Sequence, residues 1–580
     1  MSSAVSQGWI INRGSDSLFF IGMPLLSLAI LTLASNYFSS FDIALFVLAF
    51  FAVGHHLPGL MRAYGERELF ERYKARFIIA PIVIIACVGW SVFNGHLGFF
   101  ILLALWDMWH FFMQHYGFMR IYEVKRHKPS RLSGRLDWML AATWFTYIVI
   151  ASPHYLVNFM ERCHRYGFGL YSWINPDYLH DLRQWILVLA IAVSLVYLVY
   201  LLRLSLQKEP IVWPKLAISL TTFLTVYYAY IVLDDVILGY AMTALAHDIQ
   251  YFAIVWIYNH GVLKRSQRLG ASFFRYLFAD GRFRIVLFYV ALILLYGGVE
   301  AMARATENYL IYDLVKVLIA TTAFMHYYYD GFMWKVRKKE IRQNFIVEES
   351  GREEDVAENR MRIVERLRAF GDRWVGFPYV FETGKQLVYF GLPIFFLAWT
   401  DSTYSMSAVA AKEYLVRLTP EVAKVHDDLG VAYTREGQFA KAIASHKKAI
   451  ELDDRYAAAH THLGIAYSVA GNRQQAISQH QQALALDADL AKAHYNLGVE
   501  YYQIGRLAKA TTAFERAVTL DEGYDRAYLA LSKVYNRQGK TTEAEQYLQK
   551  AHRLEQLALR RELSRSAMPW ATGTPVKESH

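Results

Sequence analysis

At 580 residues the chain could fill about four soluble domains of ~150 residues, but 55% of it is hydrophobic, 16% aromatic and only 19% charged. That balance excludes an ordinary soluble protein, and the net charge of +10 sits mainly in loops beside apolar runs, which leaves no basic face for nucleic acid. Cys87 and Cys163 are the only cysteines, so a disulfide framework, a CxxC redox pair and a thiolate zinc site are excluded.

The opening MSSAVSQGWIINRGSDS has neither the basic start nor the cleavage site of a signal peptide, and the first apolar run is expected to remain as a span. Apolar runs at roughly 17–35, 41–57, 77–93, 97–116, 136–151, 184–202, 216–233, 241–262, 285–302, 310–334 and 386–402 predict a polytopic membrane helix bundle of about 11 spans. On one face the loops before the C-terminal region hold only Arg162, Arg165, Arg183 and Arg304, whereas the segments after even-numbered spans are rich in Lys and Arg. Positive-inside bias then puts the even-numbered loops and the N-terminus in the cytoplasm of a bacterial inner membrane. The most charged of these loops, 335–385, reads as a cytoplasmic connector helix. An odd number of spans carries the C-terminus to the periplasmic side, unless the short, Pro393-bearing run 386–402 is re-entrant.

After a linker at 403–422 the composition turns polar and a period of 34 residues begins. Gly430, Gly464, Gly498 and Ser532 share one position, Tyr433, Tyr467, Tyr501 and Tyr535 another, and Ala442, Ala476, Ala510 and Ala544 a third. This resembles the tetratricopeptide repeat (TPR), in four units over 423–558, with a disordered tail at 559–580. The resemblance implies an α-solenoid that binds a protein or peptide partner in its concave face, and implies no catalysis. His426, His460 and His494 recur at one position and His446 and His480 at another, as repeat packing predicts. The fold class is therefore all-α, with a membrane domain at 1–402 and a solenoid behind it.

Ionisable residues inside spans are costly and mark function. His55 and His56 end the second span, the fourth carries Asp107, His110, Gln114 and His115, the eighth carries His247, Asp248, Gln250, Tyr251, Asn259 and His260, and the tenth carries His326 and Asp330. Counted back from the first cytoplasmic Lys or Arg, His55, His110, His115, His260 and His326 fall four to ten residues deep, roughly 6–15 Å at the helical rise. His247 counts out much deeper, beside Asp107 or a substrate channel. Imidazole and carboxylate donors without thiolate suit iron, or less specifically zinc, copper or manganese. The expected metal ligands are His55, His56, His110, His260, His326 and Asp330; His115, His247, Asp107, Gln114, Gln250, Tyr251 and Asn259 are further ligands or orienting neighbours.

This distribution looks like the histidine-rich membrane oxygenases, which include fatty-acid desaturases and hydroxylases and the Brp/Blh-like carotene-cleaving enzymes. The HxxxH and HxxHH boxes of desaturases are absent, and single histidines on separate helices look more like the Brp/Blh arrangement. The resemblance implies non-haem iron, mono- or dinuclear, oxidising a lipid or isoprenoid near the cytoplasmic leaflet with electrons from an external donor. Two other readings stay open. His96 with His110 and His247 with His260 are spaced for axial ligation of two haem b groups in an electron-transfer protein, and the histidines could instead serve a transporter or scaffold. Glycosyl transfer is also open, although Asp42 is the only acid in the first external loop.

Overall fold

The computed structural model describes residues 9–52, 54–126, 130–265, 309–333, 377–404 and 406–566, with a few isolated positions between 287 and 298. Among these the ordered structure is helical, with no strand. The expected span 285–302, most of the connector 335–385 and the tail beyond 566 lie outside the described residues.

The chain divides into two compact units. The first comprises residues 1–158, 165–168 and 181–403. Its main helices, two of which (α7 and α8) extend into the second unit, are α1 (Arg13–Ala34), α2 (Ser40–Ala52), α3 (His56–Gly65), α4 (Lys74–Phe93), α5 (Phe99–Arg126), α6 (Arg131–Ala151), α7 (Pro153–Arg165), α8 (Pro176–Leu206), α9 (Trp213–Val232), α10 (Val236–Arg265), α11 (Tyr309–Met333) and α12 (377–403). Side-chain oxygens of Asn12, Ser39 and Ser130 cap the starts of α1, α2 and α6, each supplying an acceptor for an otherwise orphaned N–H. Pro153 separates α6 from α7, which bend apart by 75°.

Five described helices are long and apolar enough to cross a membrane, or six if the bent pair α6–α7 counts as one. Of the five, α8 has the highest mean hydropathy, 2.7, yet only 17% of its most apolar window is buried. Most of its apolar side chains are therefore exposed on the described structure. The long helices α5 and α10 fall outside that set, and they carry Asp107, His110, Gln114, His247 and Asp248.

The apolar faces of α4, α11 and α12 interleave through Phe77, Ala80, Ile84, Val88, Phe324 and Phe390. One charge network ties α5, α6, α8 and α9 together. The Lys215 ammonium stands 3.0 Å from both Glu123 and Asp137, Arg120 lies 2.8 and 3.0 Å from the same two carboxylates, and Tyr197 donates to Asp137. Two cations against two carboxylates leave the cluster neutral, which is what allows it to be buried. Helix α12 runs the length of the unit: near its start Glu382 pairs with Arg76 on α4 and accepts from Tyr328 on α11, and near its end Asp401 lies 2.9 Å from His96.

The second unit comprises residues 159–164, 169–180 and 404–580. The stretch expected as a linker holds a helix, α13 (Ala408–Leu418), capped by Ser407. On α13, Lys412 pairs with Glu161 at 2.7 Å and Tyr414 donates to the Ile174 carbonyl at 2.6 Å. Eight further helices follow as pairs: α14 (Ala423–Arg435), α15 (Phe439–Leu452), α16 (Ala457–Val469), α17 (Arg473–Leu486), α18 (Ala491–Gln503), α19 (Leu507–Leu520), α20 (Asp525–Arg537) and α21 (Thr541–Ser566). The turn inside each pair contains a glycine at positive φ, from Gly437 at 75° to Gly471 at 86°, where a side chain would be strained. A Cβ on Gly430, Gly464 or Gly498 would run into the ring of His446, His480 or Phe514 on the paired helix. The repeated small residue thus sets how closely the two helices pack.

Candidate metal centre

Helix α2 ends in a π-helical turn, Leu48–Ala52, and the chain then breaks before α3, with His55 and His56 at the junction. The His55 amide still donates to Phe51, at 2.8 Å. Glycine at position 59 lets α3 approach closely, since a Cβ there would lie 2.8 Å from the Tyr251 hydroxyl and 3.4 Å from His326 Nδ1. Local backbone irregularity brings the histidine doublet to the middle of the unit.

Three imidazoles from three segments converge there. His326 Nε2 stands 3.1 Å from His55 Nε2 and 3.1 Å from His110 Nε2. In its plane one ring nitrogen carries either a proton or a lone pair, so His326 Nε2 cannot donate to one neighbour while accepting from the other. A shared cation satisfies all three, and donors ~2.0–2.1 Å from one ion at bond angles between 90° and 110° are spaced about 2.9–3.4 Å apart. The two separations through His326 fall inside that window, and one donor atom from each of the three rings lies within 4.8 Å of the others. His55, His110 and His326 are all buried.

Carboxylates complete the arrangement. Asp330 Oδ2 is 3.7 Å from His326 Nε2 and 3.9 Å from His110 Nε2, and the Tyr251 hydroxyl donates to Asp330 Oδ1 at 3.2 Å. Asp248 Oδ1 lies 2.9 Å from His55 Nδ1, a proximity that favours the tautomer with its proton on Nδ1 and its Nε2 lone pair toward the other two rings. Asp107 accepts from Tyr327 at 2.9 Å and Tyr240 at 3.2 Å, and the Tyr327 ring lies 5.1 Å from that of His110. The hydrogen-bonding partners of Asp107 and Asp248 are hydroxyls and an imidazole rather than Lys or Arg. Carboxylates without a Lys or Arg counter-ion among the described residues are donors that suit a bound cation.

The remaining expected residues divide. The His56 ring lies 4.6 Å from His55 and 5.0 Å from His326. His247, expected to lie deeper, joins the cluster: its ring is 5.0 Å from His110 and 5.3 Å from His55, and both its nitrogens are buried without a hydrogen-bond partner. Counting back from Lys264 misplaces it because α10 has 30 residues, ~45 Å of helix, and extends well past the level of the cluster. Gln114 donates to the His247 carbonyl at 3.0 Å. By contrast His115 packs on Phe223, Gln250 donates to the Phe20 carbonyl, and Asn259 is buried with no described contact to the cluster. The side chain of His260 lies outside the described residues. Asp248, left out of the expected ligand set, was visible only as a carboxylate in an apolar run.

Beside the cluster an apolar groove of about 290 Å³ runs between α5, α11 and α12, lined by Leu105, Trp106, Trp109, Phe324, Phe390 and Ile394. Trp106 and Trp109 adjoin Asp107 and His110 in sequence, and the Trp106 ring lies 6.2 Å from that of Tyr327.

Comparison with known proteins bears on the second unit. Residues 430–469 match the TPR repeat family, and 491–524 and 525–556 match the tetratricopeptide repeat. The C-terminal unit is a tetratricopeptide-repeat solenoid. Among solved structures, a crystal structure of MamA is 32% identical, with 26% of this chain and 89% of that chain covered and a TM-score of 0.24. MamA 41-end from Desulfovibrio magneticus RS-1 is 20% identical over 26% and 84% of the two chains, also at 0.24. The first TPR of Spaghetti (RPAP3), bound to an HSP90 peptide, is 24% identical over 20% and 93%, at 0.20. No curated protein matches the chain.

Proposed function

We propose that the first unit is an integral-membrane, iron-dependent oxidoreductase acting on a lipid or isoprenoid chain, and that the TPR solenoid recruits a protein or peptide partner. The observation that carries this reading is the convergence of three imidazoles in a buried site, with His326 Nε2 3.1 Å from both His55 Nε2 and His110 Nε2 and one donor atom of each within 4.8 Å of the others. His55, His110 and His326 would hold the ion with Asp330 beside them, and His247 and Asp248, which with His55 offer donor atoms within 4.8 Å of one another, would supply donors for a second ion. Bound iron supplies oxygen activation and redox change, for which imidazole and carboxylate donors are suited.

The chain's own residues do the rest. Asp248 positions His55, Tyr251 orients Asp330, and the groove beside Trp106 and Trp109 offers an apolar surface to an apolar chain. Electrons come from an external donor, because two cysteines cannot build an iron–sulfur centre. The haem alternative is less well supported, because His110 Nε2 stands 3.1 Å from His326 and His96 Nδ1 stands 2.9 Å from Asp401.

The proposed orientation has the N-terminus in the cytoplasm and the solenoid in the periplasm. Helix α12 bonds one end of the bundle through Glu382 and the other through Asp401, which favours a crossing over a re-entrant hairpin. The loop around 169–180, between α7 and α8, belongs to the same compact unit as the repeats, so both would occupy the side with few basic residues.

The test is elemental analysis with a visible spectrum on detergent-purified protein, comparing wild type with His110→Ala and His326→Ala. One or two irons per chain, no Soret band and loss of iron from both variants is the expected result. A Soret band, or folded protein that takes up no iron, overturns the reading.

A further inference from the structure

A second group of metal-type donors lies in the solenoid, at the junction of its first two repeats. Asp427 on α14 is buried, and its two carboxylate oxygens face two different rings: Oδ1 is 2.7 Å from His446 Nδ1 on α15 and Oδ2 is 2.8 Å from His462 Nδ1 on α16. One donor atom from each of the three residues lies within 4.8 Å of the others. His446 is wholly buried and its Nε2 has no hydrogen-bond partner, whereas His462 keeps 31% of its side chain exposed. The group is thus closed on the α15 side and open to solvent at His462.

Repeat packing accounts for only one member. The ring at position 446 recurs as His480 and Phe514, filling the space that Gly430, Gly464 and Gly498 leave. Asp427 and His462 do not recur: one repeat later their positions hold Thr461 and Asn496, and two repeats later Tyr495 and Ala530. Without the carboxylate, His480 sits in the same packing position with both ring nitrogens unpartnered. The first junction therefore combines a packing histidine with a carboxylate and a second imidazole that packing does not require.

We propose that Asp427, His446 and His462 form a binding site for a zinc-class divalent transition-metal ion that pins the first two repeats together. Two imidazoles and a carboxylate without thiolate match zinc, and an open fourth position at the exposed edge of His462 is left for water or a partner's side chain. On binding, the Nδ1 proton of each ring moves to its Nε2, and the ion takes the place of the two hydrogen bonds. Because the three ligands come from α14, α15 and α16, occupancy fixes the angle between the first and second repeats.

The experiment uses the full-length, detergent-purified chain, dialysed against zinc and analysed by ion count and by amide hydrogen exchange of individual segments. Asp427→Thr and His462→Asn install the residues found one repeat later, so neither is foreign to the solenoid. Zinc is expected to slow exchange across 423–469 in wild type while leaving 491–537 unchanged, and each variant is expected to lose that protection together with one bound ion per chain. Local exchange separates this site from the histidine cluster of the other unit. Zinc that leaves 423–469 unprotected in wild type, or protects it equally in both variants, overturns the proposal and leaves Asp427 as a hydrogen-bond lock.

Discussion

His55 is held at both ends of its ring: Nδ1 stands 2.9 Å from Asp248 Oδ1 and Nε2 stands 3.1 Å from His326 Nε2. The carboxylate lies behind the imidazole, opposite the converging nitrogens. It therefore acts on the site by orienting a donor. Asp248→Asn keeps the shape and removes the charge, and is expected to weaken metal affinity about 10- to 100-fold, the usual cost of losing such a partner. Competition with a chelator of known affinity measures this; unchanged affinity with unchanged helicity would show that Asp248 has no such role.

His110 and His115 belong to one helix and are both buried, yet only His110 reaches the other rings, whereas His115 packs on Phe223. His110→Ala is expected to abolish metal retention and His115→Ala to leave it intact. Equal loss in both variants would mean that the helix, rather than the ligand, had been disturbed.

Gly59→Ala places a methyl group 2.8 Å from the Tyr251 hydroxyl and 3.4 Å from His326 Nδ1. Either α3 retreats or the two side chains move, and overpacking of this kind costs about 1–3 kcal/mol. A lowered melting temperature together with weakened metal binding is the expected pair of effects, and a variant as stable and as well loaded as wild type would refute it.

The solenoid should lose stability on acidification, in two steps with distinct causes. Burial pushes the His480 imidazole down to about 4, so the unfolded chain takes up its proton first. The stability it contributes is complete above the unfolded value near 6.5 and is lost as pH falls toward 4, at roughly 1.4 kcal/mol per pH unit. Burial raises Asp427, but hydrogen bonds from His446 and His462 outweigh it and hold the carboxyl at about 2. That contribution is present above ~3.9 and disappears as pH falls through 2. His480→Phe, which copies Phe514 one repeat later, should flatten the upper step, read as amide exchange in α16 and α17 between pH 7 and 4.5. A slope unchanged by the substitution would place the titrating group elsewhere.

Periodicity made the solenoid legible, because every repeat reports the same packing: Gly430 against His446 becomes Gly464 against His480 and Gly498 against Phe514. The first unit was legible at a coarser level. Its polar residues stood out against an apolar background, but depth counted along single helices holds only where the helices end at one level. His110 and His326 could be brought together by counting, while His247 on the overlong α10 could not. Asp248 and Gln114 take their roles from the neighbours they face across the bundle, and one-dimensional spacing does not encode that. Helix α13 is hidden from a search for periodicity because, at 11 residues, it precedes the repeat and shares none of its period.

The ion pair between Lys412 and Glu161 joins residues 251 positions apart. A ribosome making this chain releases Glu161, Tyr171 and Ile174 long before their partners Lys412 and Tyr414 exist, so the early loop must wait through the synthesis of several further helices. Contacts of such long range close late and slowly. Release of the finished C-terminal segment, rather than of the early loop, then sets when the second unit can complete its fold.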